Sequence, residues 1–384
     1  MIIGIPKEIK NKEFRVGLTP FNAHELISLG HKVIVEKDAG LGIGFMDEHY
    51  ASVGVTIAAS AQDVYGQADM IVKVKEPQPE EYVLLRKDQI LFTYLHLAAD
   101  LPQAEALMKA GCVAIAYETV TDKRNSLPLL TPMSQVAGRL SVQVGAQSLL
   151  KSNGGSGLLL GGVPGVAAAK VVVIGGGVVG TNAIRMAMGT EAHVTVLDVS
   201  HPRLEQLDFQ FGGRLNTTYA SRSNIEQYVK DADLVIGAVL IPGKAAPSLV
   251  PRSWLRDMRP GSVMVDVAID QGGCFETSRP TSHSHPTYVI DDIVHYCVTN
   301  MPGAVPRTST LALNNVTLPF IIKIANQGWR DAISSDPHLK NGVNVCQGAI
   351  THAGVAADLG LPHTALNDQG VLTAEPELSA AVCD

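Results

Sequence analysis

Over residues 1–130, short apolar runs alternate with stretches of helical periodicity. The runs at 2–5, 32–36, 70–74, 89–94 and 112–117 are rich in Val and Ile, and they predict strands. A helix is expected to open at Thr19-Pro20, where a capping side chain precedes a proline suited to the first helical turn. Strands alternating with helices are the signature of a parallel sheet covered on both faces.

A long amphipathic pattern from Met133 to Leu150 leads away from this first series. Two turn-rich clusters follow, Asn153-Gly154-Gly155-Ser156-Gly157 and Gly161-Gly162-Val163-Pro164-Gly165. A second alternating series runs from Lys170 to Met301, with strands expected near 170–174, 193–197, 234–239, 263–267 and 287–290. Beyond it, Thr308 to Gly328 reads as another long helix. The 384 residues exceed what one core usually organises. The expected architecture is α/β, with two doubly wound parallel-sheet domains joined by long helices. Residues 1–130 and 307–371 would form a discontinuous substrate domain, 131–306 a Rossmann domain, and 372–384 a loose tail.

Composition narrows the function classes. Hydrophobic residues make up 46% and charged residues 17%, a globular mix with buried strands. A net charge of −7 argues against a nucleic-acid surface, which needs a basic patch. Five scattered cysteines, with no C-x-x-C pair, fit reduced thiols better than a disulfide framework or a zinc site, so no metal is expected. The start, Met1 to Lys7, lacks the pattern of a signal peptide, and a cytoplasmic protein is expected. Leu158–Gly180 is almost wholly apolar, but Pro164, Lys170 and many glycines interrupt it. It reads as connector, strand and phosphate loop rather than a membrane span.

The strongest chemical signal sits at the end of that stretch. The buried-strand pattern Lys170–Ile174 runs straight into Gly175-Gly176-Gly177-Val178-Val179-Gly180, which fits G-x-G-x-x-G, and a helical stretch follows. In such a loop the first glycine permits the turn and the second lets a pyrophosphate reach the backbone. The third lets the helix pack on the strand, and the helix N-terminus holds the phosphates. The next strand ends in Asp198, 18 residues past Gly180, where an acid usually meets the ribose hydroxyls. The order of these elements points to NAD. The same fold also holds FAD or nucleotide-linked methyl donors.

Ligands of open α/β sheets lie beyond the carboxyl ends of the strands. Lys75 closes Ile71–Lys75, His96 follows Leu91–Leu95, Asp270 follows Val265–Ile269, and Arg15 sits in the loop after the first strand. Taken singly, each has a bland reading: a solvated lysine, a core histidine, a turn-shaping aspartate, a surface arginine. Their convergence at strand ends, facing one expected cleft between the domains, favours a functional reading.

The sequence closely resembles the bacterial L-alanine dehydrogenases through about Val371. The resemblance is carried by Ile5-Pro6-Lys7-Glu8, Arg15–Pro20, Lys73–Pro77, Tyr94–Ala98, Pro132-Met133-Ser134, Gly161–Val166, the glycine loop, Asp266–Gly273 and Asn300–Thr310. It implies reversible oxidative deamination of L-alanine to pyruvate and ammonia, with NAD as hydride acceptor, in a homohexamer. It gives Arg15 and Lys75 the substrate, and His96 and Asp270 the acid–base work. It lines the cofactor site with Ser134, Gly175, Gly177, Val178, Val179, Gly180, Asp198, Arg203, Val239, Leu240, Val267, Ala268, Ile269, Asp270, Arg279, Val298, Thr299, Asn300 and Met301. Arg203 alone would suggest NADP, but Asp198 would repel a 2′-phosphate. The NAD-binding component of a transhydrogenase resembles the same two-domain fold and is the alternative.

Three positions depart from the pattern of these enzymes. Ala220 stands where a serine commonly contacts the adenosine side, Ala168 replaces a usual proline, and Glu191 replaces a usual glycine in a turn.

Overall fold

A computed structural model of the chain describes residues 1–239 and 246–373. In chain order its strands begin with β1 (Ile2–Ile5), β2 (Lys32–Glu36), β3 (Thr56–Ala58), β4 (Met70–Val72), β5 (Ile90–Thr93) and β6 (Val113–Ala116). There follow β7 (Lys170–Ile174), β8 (His193–Asp198), β9 (Leu215–Tyr219), β10 (Leu234–Gly237), β11 (Val263–Asp266), β12 (Thr287–Ile290) and β13 (Ile293–Tyr296). The last two are β14 (Val343–Cys346) and β15 (Ala349–Ile350). The chain divides into two compact units, Met1–Pro132 with Val305 onward, and Met133–Ala304.

The first unit is built on an eight-stranded sheet in the order β15-β14-β6-β5-β4-β1-β2-β3. Strands β4, β5 and β6 are buried along their whole length, as continuous apolar runs require when helices cover both faces. The helix Pro20–Ser28 starts where Thr19 caps it by accepting from the Asn22 N–H. The long helix Pro306–Gln327 lays a buried polar stripe against the loop before that helix. Thr310 Oγ1 accepts from the Val16 N–H at 3.3 Å and Asn314 Oδ1 from the Thr19 N–H at 2.7 Å. This satisfies backbone groups that would otherwise be buried without partners.

The second unit has a seven-stranded sheet, β12-β13-β11-β10-β7-β8-β9. Strand β7 lies between β10 and β8, so the chain reverses direction across the sheet there, which is where such folds bind ligands.

Neither sheet is wholly parallel. Strands β14 and β15 and strand β12 are antiparallel to their neighbours. Tight hairpins make two of these pairings, β12 with β13 and β14 with β15, whereas β14 meets β6 from far along the chain. Asp291 and Asp292 join β12 to β13 with φ of 48° and 63°, and Gln347 and Gly348 join β14 to β15 with φ of 49° and 91°. Two successive positive φ angles give the turn whose twist matches antiparallel strands. Residues 158–180 form turns, then β7 and the glycine loop. No helix among the described residues is long and apolar enough to cross a membrane.

Candidate active site

In the second unit, β7 delivers the chain into the glycine loop. Gly175 has φ +98° and a Cβ there would sit 2.8 Å from the Ala238 carbonyl oxygen, so both backbone and space demand glycine. Gly177 caps the helix Val178–Gly189, and a Cβ added to it would meet nothing within 4 Å. That leaves open space beside the N–H groups of the first helical turn, which have no acceptor within the helix. Gly180 packs against the Gly175 carbonyl and closes the helix onto the strand.

Asp198, the last residue of β8, reaches back to this loop. Its Oδ2 accepts from the Gly176 N–H at 2.6 Å and its Oδ1 from the Ser200 N–H at 2.8 Å. Arg203 holds the loop from the other side: its Nε donates to the Gly176 carbonyl at 2.7 Å and its guanidinium also reaches Thr181 Oγ1. The helix Thr131–Ser148 crosses close above, since a Cβ on Gly138 would lie 2.2 Å from the Val179 carbonyl oxygen. Half-buried Ser134 lies one turn earlier on that helix. An open glycine, a helix N-terminus and a carboxylate at the end of the adjacent strand fit the pyrophosphate and ribose of a dinucleotide.

The carboxyl ends of β10, β11 and β13 continue the same edge. Val239 follows β10 and is half-buried, whereas Leu240 lies outside the described residues. After β11, Val267–Gln271 forms a tight turn with Ala268 and Ile269 buried and Asp270 exposed. Asp266 shapes this turn. Its fully buried carboxylate accepts from the Ala268 N–H at 3.0 Å, the Cys274 N–H at 2.8 Å and the Ser278 hydroxyl at 2.5 Å. Beyond β13, Val298 and Met301 are buried, Thr299 and Asn300 half-buried. The Asn300 N–H donates to both oxygens of Asp270, at 3.3 and 3.4 Å. Arg279 is exposed, its guanidinium 4.3 Å from the centre of the Tyr288 ring.

In the first unit, Arg15, Lys75 and His96 follow β1, β4 and β5, which are neighbours in the sheet. The loop carrying Arg15 is drawn over the end of β4 because Gly17 lies against the Val72 carbonyl, where a Cβ would be 2.4 Å from the oxygen. Arg15 is 2% exposed, and its Nε and Nη2 donate to the two oxygens of Glu13 at 2.7 and 2.6 Å. Burial disfavours the charged guanidinium, but the Glu13 carboxylate more than offsets it and Arg15 is held cationic. Glu13 thus engages the Nε–Nη2 edge of the guanidinium and fixes its orientation.

Lys75 stands 3.9 Å from Glu76 Oε2. Behind it lies a charged cluster that the apolar run 70–74 concealed. Lys73 is fully buried, with Nζ 2.7 Å from Glu81 Oε1 and 3.2 Å from Glu8 Oε2. Burial works against its charge, and the two carboxylates reverse the balance and raise its pKa. Glu8 also accepts from the N–H groups of Val74 and Lys75, which fixes the exit of β4.

His96 is exposed rather than a core histidine, while Leu95 and Leu97 on either side are buried. Its ring stacks on Tyr94 at 5.8 Å and 11°, and the Tyr94 hydroxyl donates to the Leu129 carbonyl at 2.6 Å. The carboxylates of Glu13, Glu118 and Asp266 were not singled out in the sequence. Glu118 acts on main-chain donors more than twenty residues away, whereas Glu13 and Asp266 each also hold a donor two residues along the chain, in pairings that no common motif marks.

Two family models match the chain: "Alanine dehydrogenase/PNT, N-terminal domain" over residues 4–137 and "Alanine dehydrogenase/PNT, C-terminal domain" over 141–353. The chain is 56% identical to the alanine dehydrogenase of Halomonas elongata, over 94% of this chain and 98% of that one. It is 56% identical to that of Bacillus subtilis, over 94% and 95%. A solved L-alanine dehydrogenase superposes with a TM-score of 0.92 at 54% identity, over 94% of this chain and 99% of that one. A transhydrogenase from Sinorhizobium meliloti superposes with a TM-score of 0.80 at 26% identity, over 92% and 99%.

Proposed function

The chain belongs to the alanine dehydrogenase/PNT family, and on that premise we propose that it is an NAD-dependent L-alanine dehydrogenase. It converts L-alanine reversibly to pyruvate and ammonia. The observation that carries this reading over the transhydrogenase alternative is the contrast in identity: 56% to named alanine dehydrogenases against 26% to the transhydrogenase.

When bound, NAD supplies the acceptor for the hydride leaving the alanine Cα. The open space beside Gly177 and the Asp198 carboxylate support a dinucleotide there. Val239, Leu240, the segments 267–270 and 298–301, Ser134, Arg203 and Arg279 complete the proposed cofactor site.

The chain's own residues must do the rest. Arg15 and Lys75 hold the substrate carboxylate and, after deamination, the carbonyl formed at Cα, so that the Cα–H bond is oriented before it breaks. Hydride can leave only from a neutral amine, and the resulting iminium must take up water and lose ammonia. Each step moves a proton at nitrogen or oxygen. His96 is suited to carry it in both directions near neutral pH, and Asp270 to stabilise the cationic amine or take its proton. A cytoplasmic homohexamer is proposed on the resemblance alone, and light scattering of the purified protein tests the assembly.

The test of the alternative is direct. Hydride exchange between two dinucleotides without L-alanine, and no NADH formed with it, would favour the transhydrogenase component. NADH formed only when L-alanine is present supports the proposal.

A further inference from the structure

Strand β6 runs directly into the turn Tyr117–Thr119, which carries Glu118 to the carboxyl edge of the sheet beside β5. There its carboxylate turns toward the exit of the neighbouring strand. It accepts from the Leu95 N–H at 3.1 and 3.2 Å and from the His96 N–H at 2.6 Å. His96 itself is left-handed, with φ 51° and ψ 37°, a conformation that disfavours any residue with a Cβ. Such a backbone turns successive N–H groups toward one side, where a single anion can take them together. From the other direction, Gln103 Nε2 donates to the Leu95 carbonyl at 2.9 Å. Leu95 and Leu97 are anchored in the core, so the strained turn projects His96 outward between them.

We propose that Glu118 is a positioning residue for His96. It holds the left-handed turn that brings the imidazole out of the core and onto the face of Tyr94, and it acts through the main chain rather than on the substrate. A hydrogen bond from a backbone N–H to a carboxylate is stronger than one to a neutral acceptor, which suits a turn that must stay strained. The proposal rests on the reading of His96 as the acid–base group.

The test is a double-mutant cycle of Glu118→Ala and His96→Ala in the full chain, reading kcat, KM for L-alanine and NAD affinity for each variant. Glu118→Ala is expected to lower kcat by about a hundredfold, the scale of a misplaced catalytic group. KM and NAD affinity should stay near wild type, which also reports that the variant folds. In the His96→Ala background the same change should cost nothing further. Glu118→Gln, which keeps one acceptor oxygen, should recover part of the loss. Full activity in Glu118→Ala beside a slow His96→Ala would overturn the proposal and leave the reading of His96 intact. An equal loss in both backgrounds would also overturn it. Normal turnover by a folded His96→Ala would instead remove the role of His96 on which the proposal stands.

Discussion

A Cβ added to Gly180 would lie 1.8 Å from the carbonyl oxygen of Gly175, five positions earlier in the loop. The obstacle is backbone, so it cannot swing aside. Gly180→Ala must therefore push the helix Val178–Gly189 off the strand or distort the loop. Overpacking of this kind costs about 1–3 kcal/mol, and a thermal melt should register it. NAD binding should weaken in parallel, because the displaced helix N-terminus is the proposed phosphate site. Unchanged melting and NAD affinity would mean that the third glycine is dispensable here.

Two tasks are proposed for Asp198, and one variant removes both. Its Oδ2 holds the Gly176 N–H, and its charge opposes a 2′-phosphate on the adenine ribose. Asp198→Gly should lower kcat/KM with NAD while raising the NADP-to-NAD ratio about tenfold or more, equivalent to about 1.4 kcal/mol. Efficient use of NADP by the wild type would contradict this assignment.

Glu191, where the resemblance leads to an expected glycine, is exposed and has φ +65°. A side chain in this region is strained, and only glycine adopts it freely. Glu191→Gly is expected to stabilise the protein by about 1 kcal/mol, read as a shift in urea midpoint at constant slope. A loss of stability would show that the Glu191 side chain makes compensating contacts.

Glu76 sets part of the acid limit of stability. Burial pushes its carboxyl up, but the charge of Lys75 and the hydrogen bond from Lys10 outweigh this and hold it below the ordinary value. A carboxyl depressed in the folded state adds stability above its unfolded pKa, and loses it as pH falls through the folded one. Glu76→Gln should therefore be less stable than wild type at neutral pH, with the difference shrinking as pH falls below about 4. Denaturation midpoints across that range decide it, and parallel curves would contradict the account.

Strand positions were legible where apolar runs end at a turn residue: 2–5, 32–36, 170–174 and 287–290 are strands to the residue. The runs at 70–74, 89–94 and 263–267 overshoot, because Val74, Tyr94 and Val267 lie past the ends of β4, β5 and β11 but stay wholly or partly buried at the candidate site. Hydrophobicity reports burial and cannot see where pairing stops. Strand β9, Leu-Asn-Thr-Thr-Tyr, was missed because an edge strand needs few apolar residues. Strands β13 and β15 each follow a hairpin turn, Asp291-Asp292 and Gln347-Gly348, that lacks the Asn-Gly or Asp-Gly pair signalling such a turn. The glycine loop and the strand-end residues could be read because their spacing is local. Of the carboxylates that hold them, Glu118 depends on contacts that the folded backbone makes across more than twenty residues, and Glu13, only two residues from Arg15, belongs to no common motif.

The claim that this chain oxidises L-alanine is tested most directly by initial rates of NADH formation across a panel of amino acids at alkaline pH, where free amine is plentiful. L-Alanine should give the highest kcat/KM. Serine or 2-aminobutyrate should follow weakly, since one small group changes discrimination by only about 1–3 kcal/mol. Glutamate should be inert, because its second carboxylate would be buried without a partner. Glutamate or leucine outperforming alanine would contradict the account, as would a folded protein that binds NAD and reduces it with none of them.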